Sequence, residues 1–133
     1  TTLKNKEFIK EIKIPILKNC IFKCYKVSKR FDDDISSVFV AFLLKLKKNL
    51  IIDMNIAFGG MAATPKLASK TEKFLIDKEF NYENINKSKK IIENDFNPLS
   101  DMRSSSQYRR LVSQNLLERF YLEVSNNRSE IIN

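Results

Sequence analysis

Apolar and polar positions alternate with a period of two through the first half of the chain, and the period then lengthens to that of a helix. The alternation is clearest in SSVFVAFLLKL (36–46), which puts Val38, Val40, Phe42, Leu44 and Leu46 on one face of an extended segment. The opposite face carries Phe39, Ala41 and Leu43, then Lys45 and Lys47. Such a strand is apolar on both sides near its start and is expected to have something packed on each. Lys47-Lys48-Asn49 then turns into LIIDMNIAF (50–58), where Ile52, Met54, Ile56 and Phe58 alternate with Ile51, Asp53, Asn55 and Ala57. The two segments predict a β-hairpin, with Asn tolerating the positive φ of a tight turn. Two earlier stretches also read as extended: 8–14, stopped by Pro15, and 21–27.

Gly59 and Gly60, the only glycines, close the hairpin, and helical spacing follows. Pro65 suits the first turn of a helix through Leu67, Thr71, Phe74 and Leu75. A second helix is predicted from about Asn84, burying Ile85, Ser88, Ile91 and Ile92 and broken by Asn97-Pro98. The third places Tyr108, Leu111, Val112, Asn115, Leu116, Arg119, Phe120 and Val124 on one stripe. Ser104-Ser105-Ser106 form its first turn, with Ser100 or Asp101 as the cap. The expected fold class is α+β: an antiparallel sheet of three to four strands from the N-terminal half, packed against a three-helix layer from the C-terminal half. One domain spans 1–125, and the polar tail 126–133 is expected to fray.

The 133 residues suffice for one hydrophobic core. The formal charge is +8, but the lysines are scattered (Lys4, Lys13, Lys23, Lys45, Lys66, Lys78, Lys90) and form no stripe, so no nucleic-acid partner is expected. No apolar run is long enough to span a membrane, and the start has no signal-peptide pattern. Because the chain opens on Thr1, it is expected to be a piece of a longer protein. Cys20 and Cys24 are placed too far apart along an extended segment for an easy disulfide, so reduced thiols and a cytoplasmic location are expected. There is no histidine, which removes the commonest general base and metal ligand. No GxGxxG, phosphate-binding loop or nucleophile elbow is present, and Asp32, Asp33 and Asp34 lack the spacing of a calcium loop. No metal site and no self-contained catalytic apparatus are expected.

Three stretches, taken together and in order, carry a resemblance. YKVSKRFDDDIS (25–36), AFGGMAATPKLA (57–68) and PLSDMRSSSQYRRLVSQNLLERFYLE (98–123) resemble the C-terminal domain of the flavoprotein portion of molybdenum hydroxylases. The Asp-x-Arg-x-Ser start and Tyr-Arg pair of the third stretch are shared across relatives of CO dehydrogenase, aldehyde oxidase and xanthine dehydrogenase. The basic-to-acidic switch of the first is most similar to the FAD-binding small subunit of bacterial xanthine dehydrogenases.

The resemblance implies a parent enzyme oxidising hypoxanthine or xanthine, with electrons passing from a molybdopterin centre through [2Fe-2S] clusters to FAD and on to NAD. The metal centres and the glycine-rich loops that grip FAD then belong to other portions, among them an upstream FAD-binding domain. The chain alone is expected to be inactive. By the family pattern Lys26 reaches the FAD, and the segment 27–34, with Asp33, lies beside the isoalloxazine where NAD approaches. Phe31 stands where some relatives have an arginine. Gly59 and Gly60 match a family Gly-Gly bend, and Asp101, Arg103, Tyr108 and Arg109 a structural motif, read here as a fold-holding ion-pair and capping set. The alternatives are the equivalent domain of an aldehyde oxidase or CO dehydrogenase, or a non-redox assembly module with this fold.

Overall fold

A computed structural model of the chain describes residues 3–30 and 35–131. Four antiparallel strands, β1 (Ile21–Val27), β2 (Val38–Lys47), β3 (Leu50–Gly59) and β4 (Lys66–Leu67), lie side by side in chain order. Three helices follow, α1 (Ser69–Leu75), α2 (Tyr82–Ile92) and α3 (Ser106–Ile131). The fold is therefore α+β, with sheet first and helices after.

The helices cover one face of the sheet. Val38, Val40, Phe42 and Leu44 of β2 join Met54, Ile56 and Phe58 of β3 on that face, all buried. Phe42 stacks on Phe120 of α3, with ring centroids 4.5 Å apart, and meets Tyr25 and Phe58 edge-on. A bulge between Lys45 and Leu46 shifts the register by one residue, so at the turn end of β3 Ile51 is buried and Ile52 is exposed. The strict alternation expected along 50–58 breaks there for that reason. In the turn it is Lys48, not Asn49, that takes the positive φ (57°). The Asn49 carbonyl is held from outside the hairpin, accepting from the Phe80 N–H at 2.8 Å.

Other expectations are corrected by long-range contacts. Residues 8–14 form no strand: Phe8 and Ile14 are 80% and 82% exposed, and no described residue pairs with them in a ladder. β-propensity does not make a strand without a neighbour to satisfy its N–H and C=O groups. Pro65 starts no helix, because Lys66 and Leu67 add to the sheet edge against Phe58 and Ala57. Helix α1 begins at Ser69, and its first amides are satisfied from a distance. Buried Asp95 accepts from the Lys70 N–H (2.7 Å), the Thr71 N–H (3.0 Å) and the Thr71 hydroxyl (2.6 Å). Helix α2 starts after its cap Asn81, which accepts from the Asn84 N–H at 2.9 Å, and ends at Ile92, ahead of Asn97-Pro98. On α3 the expected stripe is rotated: Tyr108, Leu111, Asn115 and Arg119 are exposed, while Arg109 and Ser113 are buried beside Val112, Leu116 and Phe120. Arg109 turns inward because its partners lie there, as described below. Among the described residues no helix is long and apolar enough to cross a membrane.

Because β4 is so short, the Ile56 N–H finds its partner in a helix: Glu72 of α1 accepts it at 2.7 Å. Burial raises the Glu72 pKa, the Ile56 N–H opposes this, and Asp95 and Asp53 add to it. A carboxyl whose folded pKa exceeds its unfolded one binds more protons when folded, so its contribution to stability falls as pH rises through that window. Glu72→Gln keeps an acceptor for Ile56 without the buried charge. Its stability relative to the parent chain should increase between pH 4.5 and 7 in urea titrations; a difference independent of pH would contradict this.

Candidate functional site

Among the described residues the other face of the sheet carries no helix. Directly opposed residues of an antiparallel pair point to the same side, so the register defines cross-strand rows on this face. One row is Lys26–Phe39–Gly59, and the next is Cys24–Ala41–Ala57–Leu67. Phe22 is 60% exposed and Phe39 38%, so the second apolar side of β2 seen in the sequence is real but uncovered among the described residues. Consecutive residues of β1 separate the two roles. Tyr25 points into the core and donates to Glu123 of α3 at 2.9 Å, whereas Lys26 is exposed on the open face. Burial, then the Glu123 contact, raises the Tyr25 pKa above the usual phenol range.

The row containing Lys26 opens into a cleft of about 460 Å³ lined by Ile35, Phe39, Gly59, Gly60, Leu99 and Arg103, with Asp101 and Arg109 on its polar side. Arg109 builds that side. Its Nη1 donates to the Ser37 and Gly60 carbonyls, each at 2.6 Å, and its Nη2 to both Asp101 oxygens at 2.8 and 2.9 Å. Gly60 is required by this approach: its φ is +80°, and a Cβ there would lie 2.5 Å from the Ser37 carbonyl oxygen and 3.0 Å from Nη1. Asp101 also accepts from the Arg103 and Ser104 N–H groups, at 2.9 and 3.0 Å. Desolvation opposes its ionisation, but these two N–H groups and the Arg109 guanidinium outweigh it and hold the carboxyl below its usual pKa.

The loop between β1 and β2 is pinned at its base. The Ser37 N–H donates to the Val27 carbonyl at 2.8 Å, and Arg109 holds the Ser37 carbonyl from the other side. Of the residues singled out in the sequence, Gly60, Asp101 and Arg109 meet directly, Gly59 and Arg103 line the same cleft, and Lys26 stands in the adjoining row. Tyr108 faces away, into a neighbouring cavity. Asp33 lies outside the described residues. Sequence reasoning passed over Ile35, Phe39 and Leu99 as cleft residues; the signal for Phe39 was its place on the second apolar face of β2. Ser100 accepts from the Ser106 N–H at 2.8 Å, the capping expected of it, and Ser105 accepts from the Tyr108 N–H at 3.2 Å. Because α3 begins at Ser106, Ser104 and Ser105 precede the helix and do not form its first turn. Among the described residues no group of three His, Cys, Asp or Glu side chains is placed to hold a metal, and Cys20 and Cys24 are not bonded to one another.

Residues 23–124, and with them every wall of the cleft, match the CO dehydrogenase flavoprotein C-terminal domain. The chain belongs to that family. This flavoprotein C-terminal domain is 35% identical over 127 residues to the glyceraldehyde dehydrogenase medium chain of Sulfolobus acidocaldarius, covering 94% of this chain and 44% of that protein. It is 33% identical over 110 residues to xanthine dehydrogenase 1 of Arabidopsis thaliana, covering 79% of this chain and 8% of that protein. The chain thus spans less than half the length of these relatives. Among solved structures, quinoline 2-oxidoreductase from Pseudomonas putida superposes with a TM-score of 0.73 at 19% identity, over 86% of this chain and 39% of that one. The CO dehydrogenase of Hydrogenophaga pseudoflava gives 0.72 at 17%, over 78% and 36%. At such identities the likeness establishes the fold. The resemblance drawn from 25–36, 57–68 and 98–123 is therefore shown at the level of the family, and the relatives do not single out xanthine dehydrogenases within it.

Proposed function

We propose that the chain is the C-terminal part of the FAD-binding portion of a molybdenum hydroxylase, where it closes one side of the flavin cleft. The observation that carries this reading is the continuity of the open row Lys26–Phe39–Gly59 with the cleft at Gly60 and Arg103. Its surface fits a flat aromatic ring system: Ile35 and Phe39 are apolar, Gly59 lets a ring approach the backbone, and Lys26 puts a cation beside Phe39 in the same row. When bound, FAD supplies the relay between one-electron and two-electron steps. The chain supplies a wall and not the grip, since it has no glycine-rich loop.

The Lys26 ammonium favours negative charge beside it, and more strongly where the partner domain excludes water. Asp33 has the opposite sign and raises the cost of such charge, so the pair sets the balance between flavin oxidation states. The partners in this reading are the upstream FAD-binding domain, the [2Fe-2S] and molybdopterin portions, and NAD as acceptor. For the parent's substrate, the 25–36 stretch favours hypoxanthine or xanthine. The 35% identity to a glyceraldehyde dehydrogenase chain favours an aldehyde.

Lys26→Ala in the intact flavoprotein tests the reading by FAD titration and redox potentiometry. The expected results are FAD binding weakened up to about tenfold and a midpoint potential more negative by roughly 30 mV, the equivalent of 1.4 kcal/mol in a two-electron couple. Unchanged affinity and potential in a folded variant would leave this face as scaffold.

A further inference from the structure

Arg103 separates the cleft from a second cavity of about 330 Å³. The second cavity is lined by two cations, Lys29 and Arg103, and by Ser104, Ser105 and Tyr108, with no acidic side chain among its described walls. Lys29 is held in place by its Nζ, which donates to the Met102 carbonyl at 2.7 Å and keeps its remaining N–H groups. Arg103 is half-buried, and its guanidinium makes no hydrogen bond or ion pair with any described residue. Arg109, Arg110 and Arg119, by contrast, are each tied to carboxylate or carbonyl oxygens. The Ser105 and Tyr108 hydroxyl groups likewise donate to no described residue. The Ser106 and Tyr108 amides at the start of α3 are already taken by Ser100 and Ser105, and the site is made by side-chain donors.

The half-buried Arg103 guanidinium stands without an acceptor among the described residues. The exposed Lys29, Ser105 and Tyr108 stand around the same cavity, and an anion there accepts from several of these donors at once. We propose that Lys29, Arg103, Ser105 and Tyr108 bind the phosphate group of a nucleotide. A tetrahedral oxyanion offers oxygens in enough directions for a guanidinium, an ammonium and two hydroxyls, which a planar carboxylate does not. Arg103 is shared by both cavities, so a nucleotide whose ring occupies the first cleft has its phosphate within reach of the second; this assignment to a nucleotide rests on the flavoprotein reading.

The test uses the full 133-residue chain, ¹⁵N-labelled, with inorganic phosphate, ADP, FAD and adenosine as separate titrants. ADP is expected to shift the amides of Arg103, Ser104 and Ser105 saturably. Arg103→Gln should weaken that binding about tenfold or more with the remaining spectrum unchanged, and Lys29→Gln should weaken it less. Tighter binding of ADP than of inorganic phosphate assigns the site to a diffusible nucleotide, and tighter binding of FAD than of ADP assigns it to the cofactor's own phosphates. Equal affinity for inorganic phosphate and ADP would overturn the nucleotide. Adenosine acting like ADP, Arg103→Gln binding like the parent chain, or no saturable shift in the millimolar range would overturn the site itself. None of these titrations depends on Lys26, so a failure here leaves the flavin-facing reading standing, whereas a failure of that reading with saturable phosphate binding here leaves an anion site without the nucleotide.

Discussion

Arg109→Met lowers the free energy of unfolding by about 3 kcal/mol, the largest expected effect of any polar substitution in this chain. The side chain has nearly the same reach but gives nothing to the Ser37 and Gly60 carbonyls, which now accept from Nη1 at 2.6 Å each. Arg109 itself is 4% exposed, so water does not replace it at those carbonyls. Two buried acceptors left unsatisfied cost about 1–3 kcal/mol each. The partner carboxylate Asp101 remains partly open to solvent and adds little. In urea, followed by far-UV circular dichroism, the midpoint should fall by roughly 1.5–2 M at an ordinary denaturant slope. Arg109→Lys should recover only part of the loss, because an ammonium cannot spread its donors over three partners as the planar fork does. A midpoint within experimental error of the parent chain would refute the account of Arg109 as the tie between the loop base, the glycine bend and the start of α3.

Phe42→Ala is expected to cost about 4 kcal/mol through lost transfer energy and the cavity it leaves. Phe42 is fully buried in the middle of β2 and touches the rings of Tyr25, Phe58 and Phe120, one from each neighbouring strand and one from the helical layer. No single neighbour can move to fill the space without giving up another contact. Phe42→Leu should cost much less, about 1–1.5 kcal/mol, since volume is nearly conserved. The pair Phe42→Ala and Phe120→Ala should be less damaging together than the sum of the two, because the stacked rings at 4.5 Å share one interaction. Additive losses would show that the stack has no energy of its own. Against a total stability of about 5–15 kcal/mol for a domain of this kind, either large substitution removes a substantial fraction.

The hairpin of β2 and β3 is legible because its alternation is long and its core face unbroken. What the pattern lacks is the bulge at Lys45 and Leu46, which only the pairing register reveals. Helix α1 was misplaced because Pro65 carries a local signal for a helix start, while the edge of β3 captures the next two residues. The α3 stripe was misread for a related reason: a charged residue, Arg109, is not expected on a buried face, and its partners at Ser37 and Gly60 stand 72 and 49 residues away. Lys26 is no different from the other lysines in any local pattern, and only the resemblance of 25–36 to a known family picks it out. Ile35, Phe39 and Leu99 meet around the cleft from separate stretches, which periodicity within one segment cannot report.

The pinned base of the loop between Val27 and Ser37 has an evolutionary consequence. With its two ends joined by one backbone hydrogen bond and held by Arg109, changes in the length of the chain between them cost little entropy. Insertions and deletions at this place are therefore tolerated by the sheet more readily than in the strands it joins. A single scaffold can then carry loops of different length at this edge, and selection on the loop is decoupled from selection on the sheet.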